Sequence, residues 1–473
     1  MTSEVLSLAR AIATAVREAG GRALLVGGWV RDDLMGLPPK DLDLEVFGLA
    51  ADRLRPLLER LGHVETVGES FAVFKVVAPN GSGEPSDVRL RQDAIDVALP
   101  RRESKSGRGH KGFLVEGDPD LSFEEAARRR DFRINAISRD PLTNEIVDPF
   151  DGRRDLEERR LRVVDPNTFG DDSLRVLRAL QFAARFELEV PEETRSICRS
   201  IPLDDLPAER IWGEVEKLLL QARRPSIGLA LALDLGVVSR LWPELQALVG
   251  CPQEPEWHPE GNVWVHTLMV VDEARAHIDD LGRGPAVAMM LGALCHDLGK
   301  PETTAVIDGR IRSPGHEEGG VAPATRLLDR LNVHSLDGYD VRRAVLGLVA
   351  HHLKPSAFRK ALTPVSDGAF RRLALKVDLE LLARFAKADC HGRSGSFDCS
   401  AMDWFLERAR ALGVEHAAPS PLVMGRHLID LGVTPGPAMG DLLKRVYERQ
   451  LDGDVRTLEE GLVVARDLLE KGT

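Results

Sequence analysis

The chain has 473 residues, of which 43% are hydrophobic and 29% charged, with a net charge of −12. That length suggests about three domains at roughly 150 residues each, and the composition excludes a disordered tail and a disulfide-stapled miniprotein. No run approaches the ~18 apolar residues of a membrane helix and the start lacks a basic-then-apolar signal layout, so a cytoplasmic chain with no membrane partner is expected.

Residues 1–20 read as a helix, ALLVGG as a strand running into a glycine pair, and VRDDLMG as a helix start. KDLDLEVFG and AIDVAL alternate as strands do. Residues 107–122 lack periodicity and read as a mobile loop. Helical patterns dominate beyond Leu156, with LRVLRALQFAARF and AERIWGEVEKLLLQA the best amphipathic examples. The densest apolar stretch, 287–294, fits a buried helix. CPQEPEWHPEGN, 251–262, reads as a linker, and a His-rich helical block follows to about Arg393. A last helical segment is broken by GVTPGPAMG. Five cysteines without a CxxC pair are expected to be reduced thiols. The acidic balance argues against nucleic acid, but Arg128, Arg129, Arg130 and Arg133, then Arg153, Arg154, Arg159, Arg160 and Arg162, are local basic surface suited to phosphate.

Residues two apart on a strand face the same way, so Asp41 and Asp43 share a face with Leu42 and Leu44 behind them. Asp96 on a second strand could complete a three-carboxylate site. Such a site suits magnesium, and two metals so held activate an attacking hydroxyl and stabilise a leaving pyrophosphate. Gly27 and Gly28, at a strand-to-helix turn, let backbone N–H groups approach a triphosphate. Arg31 lies one turn later, placed to hold a phosphate oxygen. A DxD pair alone is commonly a solvated strand edge, and GG alone a turn; together and in this order they point to a nucleotide site.

LLVGGWVRDDLMGLPPKDLDLEVFG resembles the signature of the nucleotidyltransferase superfamily, specifically the class II tRNA nucleotidyltransferases and bacterial poly(A) polymerases. RRRDFRINAI, DPFDGRRDLEERRLRVV and DDSLRVLRALQFAARF continue the resemblance in order over about the first 220 residues. The order of patterns gives a multidomain α/β plus all-α chain: a head with a small mixed β-sheet over 1–150, a helical neck over 151–250, a His-rich helical domain over 251–398 and a helical tail over 399–473, and the resemblance covers the head and most of the neck. It implies Mg2+ on Asp41 and Asp43, and nucleotide contacts from Asp131, Arg133, Asn135 and Arg178. Arg133 stands where many relatives carry Thr, Asp171 where Glu is usual, and Gln181 where Arg is usual.

Asp172 and Arg175 are three apart on an expected helix and would share a face. A carboxylate only accepts hydrogen bonds and a guanidinium only donates, so the pair matches the amino group and ring nitrogen of cytosine and adenine. Uracil and guanine would set a carbonyl against the carboxylate, leaving a buried polar group unpaired at a cost of about 1–3 kcal/mol. An ordinary surface salt bridge is the commoner meaning of such spacing; the preceding motifs favour the base-reading role, which is the mode proposed for class II CCA-adding enzymes. The segment 101–128 looks like a full-length version of the loop that CCA-adding and A-adding enzymes carry and CC-adding enzymes lack. ERIWGEVEKLLL resembles the helix after the neck.

His266, the pair His296 and Asp297 in LCHDLGKP, and Asp389 appear in the order of the HD superfamily of metal-dependent phosphohydrolases. Imidazoles and carboxylates from separate helices bind a divalent metal, here Mn, Ni, Co, Fe or Mg, which lowers the pKa of bound water. His316 and either His351 or His352 could hold a second metal, and Lys300 could steady a phosphate. His391 is expected on the surface; Met424, Leu428 and Leu431 in the core; and Trp212, Trp242, Trp257, Trp264 and Trp404 as packing residues. The combined expectation is CCA addition to tRNA from CTP and ATP, with a second activity on 2′,3′-cyclic or terminal phosphates of RNA. An A-adding enzyme, a poly(A) polymerase, and a metal phosphohydrolase with an RNA-binding head are the alternatives. Oligomeric state is left open by the sequence.

Overall fold

The computed structural model describes residues 3–39, 41–67, 73–78, 94–105 and 113–471. The chain divides into two compact units, Met1–Ile211 and Trp212–Thr473. Among the described residues no helix is long and apolar enough to cross a membrane.

The first unit holds strands β1 (Arg22–Val26), β2 (Asp43–Phe47), β3 (His63–Val67), β4 (Val73–Val77), β5 (Ile95–Ala98), β6 (Arg101–Lys105), β7 (Phe113–Gly117), β8 (Ser138–Arg139) and β9 (Ile146–Val147). Seven of them form one mixed sheet in the order β3-β4-β5-β2-β1-β8-β9. Its β2–β5 pair is parallel, and every other pairing in it is antiparallel. Strand alternation gives the sheet two faces. Leu25, Leu44, Val46, Ile95 and Val97 pack beneath the helices Ser3–Glu18 and Ala51–Glu59 through Ile12, Val16, Leu54 and Leu58. Leu24, Val26 and Phe47 pack on the other face with Ala126 and Phe123. The first face commits Leu44 and Val46 inward, so Asp43 and Glu45 must emerge on the second.

Two readings of the sequence change here. The segment 107–122 is not a plain loop: β6 and β7 pair as a hairpin, Arg101 opposite Gly117. Its connection, 106–112, lies outside the described residues, as does Lys40. Second, β2 begins at Asp43, so Asp41 precedes the strand instead of lying on it.

The second unit is helical apart from the short hairpins Ala305–Ile307 with Arg310–Arg312 and Ser335–Leu336 with Tyr339–Asp340. The helix Arg283–Cys295 is buried from Ala286 through Cys295, as an all-round apolar sequence demands. It packs against the helices Val263–Arg275, Val341–His351 and Leu379–His391. Leu428, Leu442, Val446 and Ala465 join the helices Gly425–Asp430, Pro437–Asp452 and Leu458–Lys471 in a separate small core. Leu431 packs against that core as expected, but Met424 is 45% exposed and does not. The cysteines are not all thiols: Cys390 and Cys399 form a disulfide, while Cys198, Cys251 and Cys295 are free and buried. Sequence spacing gave no sign of it because a helix end and a turn bring the two Cα atoms to 6.0 Å.

Candidate active sites in the two units

In the first unit the parallel register sets Asp43 directly opposite Asp96. Both emerge on the face opposite the main core, and Asp41 lies exposed just before the strand. Burial, reinforced by the charges of Asp96 and Asp41, pushes the Asp43 carboxyl up to about 6. Lys75, opposite Asp96 on β4, sets its ammonium 3.0 Å from Asp96 Oδ1. Hard oxygens and crowded negative charge are what a magnesium site requires, and Asp43, Asp96 and Asp41 are donors of that type.

Gly27 follows β1 with a positive φ of 71°. A Cβ there would meet the Arg130 guanidinium at 3.1 Å and Asp43 Oδ2 at 4.0 Å. Only glycine combines that backbone angle with so close an approach. Arg130 was visible in the sequence only as one member of a basic run. The fold singles it out: it faces Asp43 and Glu45, and burial lowers its pKa. Arg129 is held by the same Glu45 at 2.7 Å.

Asp131 is the hub of a second group. It is buried and accepts from the Phe132 N–H at 2.7 Å, Asn135 Nδ2 at 2.9 Å and Arg178 Nε at 2.6 Å. Burial alone would raise its pKa, but the Arg178 charge and these hydrogen bonds outweigh it and hold the carboxyl below its ordinary value. Asn135 in turn accepts from Arg31 Nη1 at 2.6 Å. Arg31 is buried, tied also to Asp32 and stacked 4.5 Å from the Phe186 ring centroid. Arg133 gives its Nε to the Val163 carbonyl at 3.3 Å. Gln181 is buried and accepts from Arg185.

Asp172 and Arg175 are arranged differently from the expectation. The helix begins at Leu174, and Asp172 precedes it with extended backbone, so the two do not share a helix face. The Asp172 carboxylate is gripped by Arg210 at 2.9 and 3.2 Å. Arg175 donates to the carbonyls of Arg129 at 2.6 Å and Thr168 at 3.1 Å. Arg210 is thus a residue that sequence reasoning missed; its separation of 38 residues from Asp172 left no local signal.

In the second unit His266, His296 and Asp389 form one group whose ligand atoms lie within 4.8 Å of one another, and Asp297, His316 and His352 form another. All six are buried. His266 Nε2 stands 3.0 Å from Asp389 Oδ1, His296 Nε2 3.1 Å from Asp297 Oδ2, and His316 Nε2 3.2 Å from His352 Nε2. The Nδ1 atoms face outward: His296 to Ala293 O, His316 to Ser313 O, His352 to Val349 O, and His266 to Glu260 Oε1 at 3.0 Å. Outer partners of this kind fix the ring and leave Nε2 as the ligand atom. His296 Nε2 faces Asp297 Oδ2 at 3.1 Å without a well-aligned hydrogen bond. Burial, with His296 beside it, pushes His352 down to about 4, which is the neutral, ligating form. Burial would raise Asp297 and Asp389, but neighbouring imidazoles and cations hold both well below the ordinary carboxylate value. These donors fit a divalent metal.

The chain closes around this cluster by a second close approach. A Cβ on Gly299 would meet the His316 carbonyl at 2.1 Å, so the glycine of HDLGK lets His316 reach Asp297. His351 is only half-buried and outside both groups, while His352, one residue on, is inside. Lys300 Nζ is buried between Asp297 Oδ2 at 2.7 Å and Gln253 Oε1 at 2.6 Å. His391 is exposed, as expected. The segment 251–262 is no linker: Gln253, Glu254, Trp257 and His258 form one wall of a cavity of about 440 Å³ over the cluster.

A family profile described as poly A polymerase head domain matches residues 23–162. The multifunctional CCA protein of Xanthomonas campestris pv. campestris (strain B100) is 38% identical over 386 residues, covering 79% of this chain and 85% of the relative. Among solved structures, the Bacillus stearothermophilus CCA-adding enzyme in complex with CTP superposes with a TM-score of 0.65 at 20% identity, covering 100% of this chain and 99% of that one. The Thermotoga maritima CCA-adding enzyme complexed with tRNA gives a TM-score of 0.57 at 19% identity over 100% and 97% of the two chains.

Proposed function

Because this chain belongs to the class II CCA-adding enzymes, alongside the multifunctional CCA proteins, we propose that it adds C, C and A from CTP and ATP to tRNA 3′ ends and releases pyrophosphate. The observation that carries this reading is the parallel register of Asp43 and Asp96 beneath a glycine turn that admits Arg130. Magnesium, held by Asp41 and Asp43, would supply Lewis-acid stabilisation of the attacking and leaving oxygens. Asp96 accepts the proton of the tRNA 3′-hydroxyl. The backbone at Gly27 and Gly28, with Arg130, receives the triphosphate. Asp131, Asn135 and Arg178 hold the nucleotide, with Arg31 fixing Asn135 from behind. Asp172 presents acceptor oxygens, positioned by Arg210, and Arg175 has N–H donors beyond the two given to carbonyls. This pair reads the amino group and ring nitrogen shared by cytosine and adenine.

The convergence of imidazole Nε2 atoms supports a second activity. His266, His296, Asp297 and Asp389 would hold one divalent metal, and Asp297, His316 and His352 a second, giving a phosphohydrolase that clears 2′,3′-cyclic or terminal phosphates from RNA ends. Four functional segments, divided at 150, 250 and 398, complete the reading; the second of them spans the boundary at residue 211 between the compact units.

Incorporation into three RNAs tests the main reading. A tRNA ending before CCA should gain C, C and A and stop. Addition of A alone to a tRNA ending in CC, or long tails on oligo(A), would assign an A-adding enzyme or a poly(A) polymerase instead. Asp43→Ala should abolish pyrophosphate release; transfer that survives it would refute the assignment.

A further inference from the structure

Resting on the phosphohydrolase reading of the second unit, we infer that Trp257 is a stacking platform for the base of a terminal nucleotide, so that the cavity selects nucleoside phosphates and RNA ends over base-free phosphate esters. Trp242 and Trp264 are buried at 3% and 4% exposure, whereas Trp257 is 46% exposed, against the expectation that all of these tryptophans pack. Trp257 lines the cavity with nearly half of its surface exposed, so part of an apolar ring stays open for a ligand.

The ring is presented on a tied-down segment. The amides of Trp257 and His258 both return to the Glu254 carbonyl, at 3.1 and 2.9 Å. Glu254 Oε2 accepts the Ile311 N–H at 2.9 Å, and Glu256 pairs with Arg310 at 3.1 Å. His258 is fixed by Glu260, which also holds His266. The backbone that carries the indole is therefore tied before any ligand arrives, which removes part of the entropic cost of binding.

The cavity's chemistry has two halves. Lys300, Lys360 and Arg393 line it near the carboxylate and imidazole cluster, and suit a phosphate. Trp257, Ile311 and Leu353 supply an apolar side that a bare phosphate would not use. The volume of about 440 Å³ lies in the roughly 300–1,000 Å³ range of small-molecule sites. Stacking on an indole is tolerant of base identity, since every base has a π-face. RNA ends of varied sequence are thus all acceptable.

The test compares hydrolysis of adenosine 2′,3′-cyclic phosphate with that of glycerol 2-phosphate, in the full-length protein supplied with Mn2+, Ni2+, Co2+ or Mg2+. Trp257→Leu keeps apolar bulk without a π-face, and Trp257→Phe keeps a smaller one. Trp257→Leu should lower the kcat/KM ratio of nucleotide over base-free ester by at least about tenfold, mainly through KM, with Trp257→Phe recovering most of it. A ratio that stays within twofold in Trp257→Leu overturns the proposal, because a merely structural role would move both substrates together. Wild-type protein that hydrolyses neither ester with any metal would defeat the phosphohydrolase reading itself. Calorimetric titration with adenosine 2′-monophosphate then decides Trp257 separately: a tenfold weaker Kd in Trp257→Leu supports the platform, and an equal Kd overturns it.

Discussion

Breaking the bridge between Cys390 and Cys399 is the sharpest test of the second unit's construction. The two residues are nine apart, so the bridge closes a loop of about ten residues. Chain-entropy reasoning takes about 2.1 plus 1.5R ln n, or roughly 9 cal/mol/K, from the unfolded chain, which is about 2.7 kcal/mol at 25 °C. The loop also bears on the cluster. Arg393 lies 4.0 Å from Asp389 Oδ2, and Ser394 gives its N–H to Glu260 Oε2 at 3.2 Å, with its hydroxyl 3.4 Å from the same oxygen. Glu260 in turn braces His266. Thiol titration of denatured protein prepared without reductant should count three groups, Cys198, Cys251 and Cys295, and five after reduction. Cys399→Ser should lower the urea midpoint of the second unit by the equivalent of about 2–3 kcal/mol. Five thiols before reduction would refute the bridge, and a loss under about 1 kcal/mol would refute the loop-entropy reasoning.

Other perturbations address the remaining groups. Arg178→Ala should cost about 2 kcal/mol by removing a charged hydrogen bond from buried Asp131. Because the folded Asp131 pKa is depressed, that contribution is present above the ordinary aspartate value of 3.8 and is lost as pH falls through the lower folded value. Urea melts should show the Arg178→Ala penalty shrinking below pH 3.8, and a penalty flat with pH would contradict the pairing. Calorimetry with Mn2+ should find that His352→Ala loses one of two sites while His351→Ala keeps both; the reverse would misplace the cluster. Arg210→Ala should raise KM for CTP and ATP roughly fivefold, about 1 kcal/mol after discounting for its partial exposure. Steady-state kinetics showing an unchanged KM would mean that Asp172 does not depend on Arg210.

What the sequence disclosed was local. The glycine pair, the alternating carboxylates and the HD pair each lie within a few residues, and strand or helix geometry alone makes them point together. What it withheld were choices settled by distant chain. Arg210 takes the Asp172 carboxylate while Arg175 turns to backbone carbonyls, a choice set by packing of distant chain. His351 and His352 differ by about 100° around a helix, which adjacency in a sequence does not resolve. Strand β3 gives a weak apolar signal, with only Val64 and Val67 apolar among its five residues, whereas β4 is apolar at four of its five positions. The segment 251–262 looked like a linker because its prolines and glycine suit irregular backbone equally well in a cavity wall.

The register of Asp43 with Asp96 also sets an order of assembly. Those residues are 53 positions apart, and β3 and β4 are inserted between them. β1 and β2 can pair early as neighbours, but β5 enters only after the intervening strands have emerged and the long loop has closed. Pairing of that range is slow compared with hairpin formation. A nascent chain released before about residue 100 would therefore carry the whole glycine and DxD signature and still lack the carboxylate pair. The carboxylate pair is thus a product of long-range strand pairing, and the motif that precedes it does not build it alone.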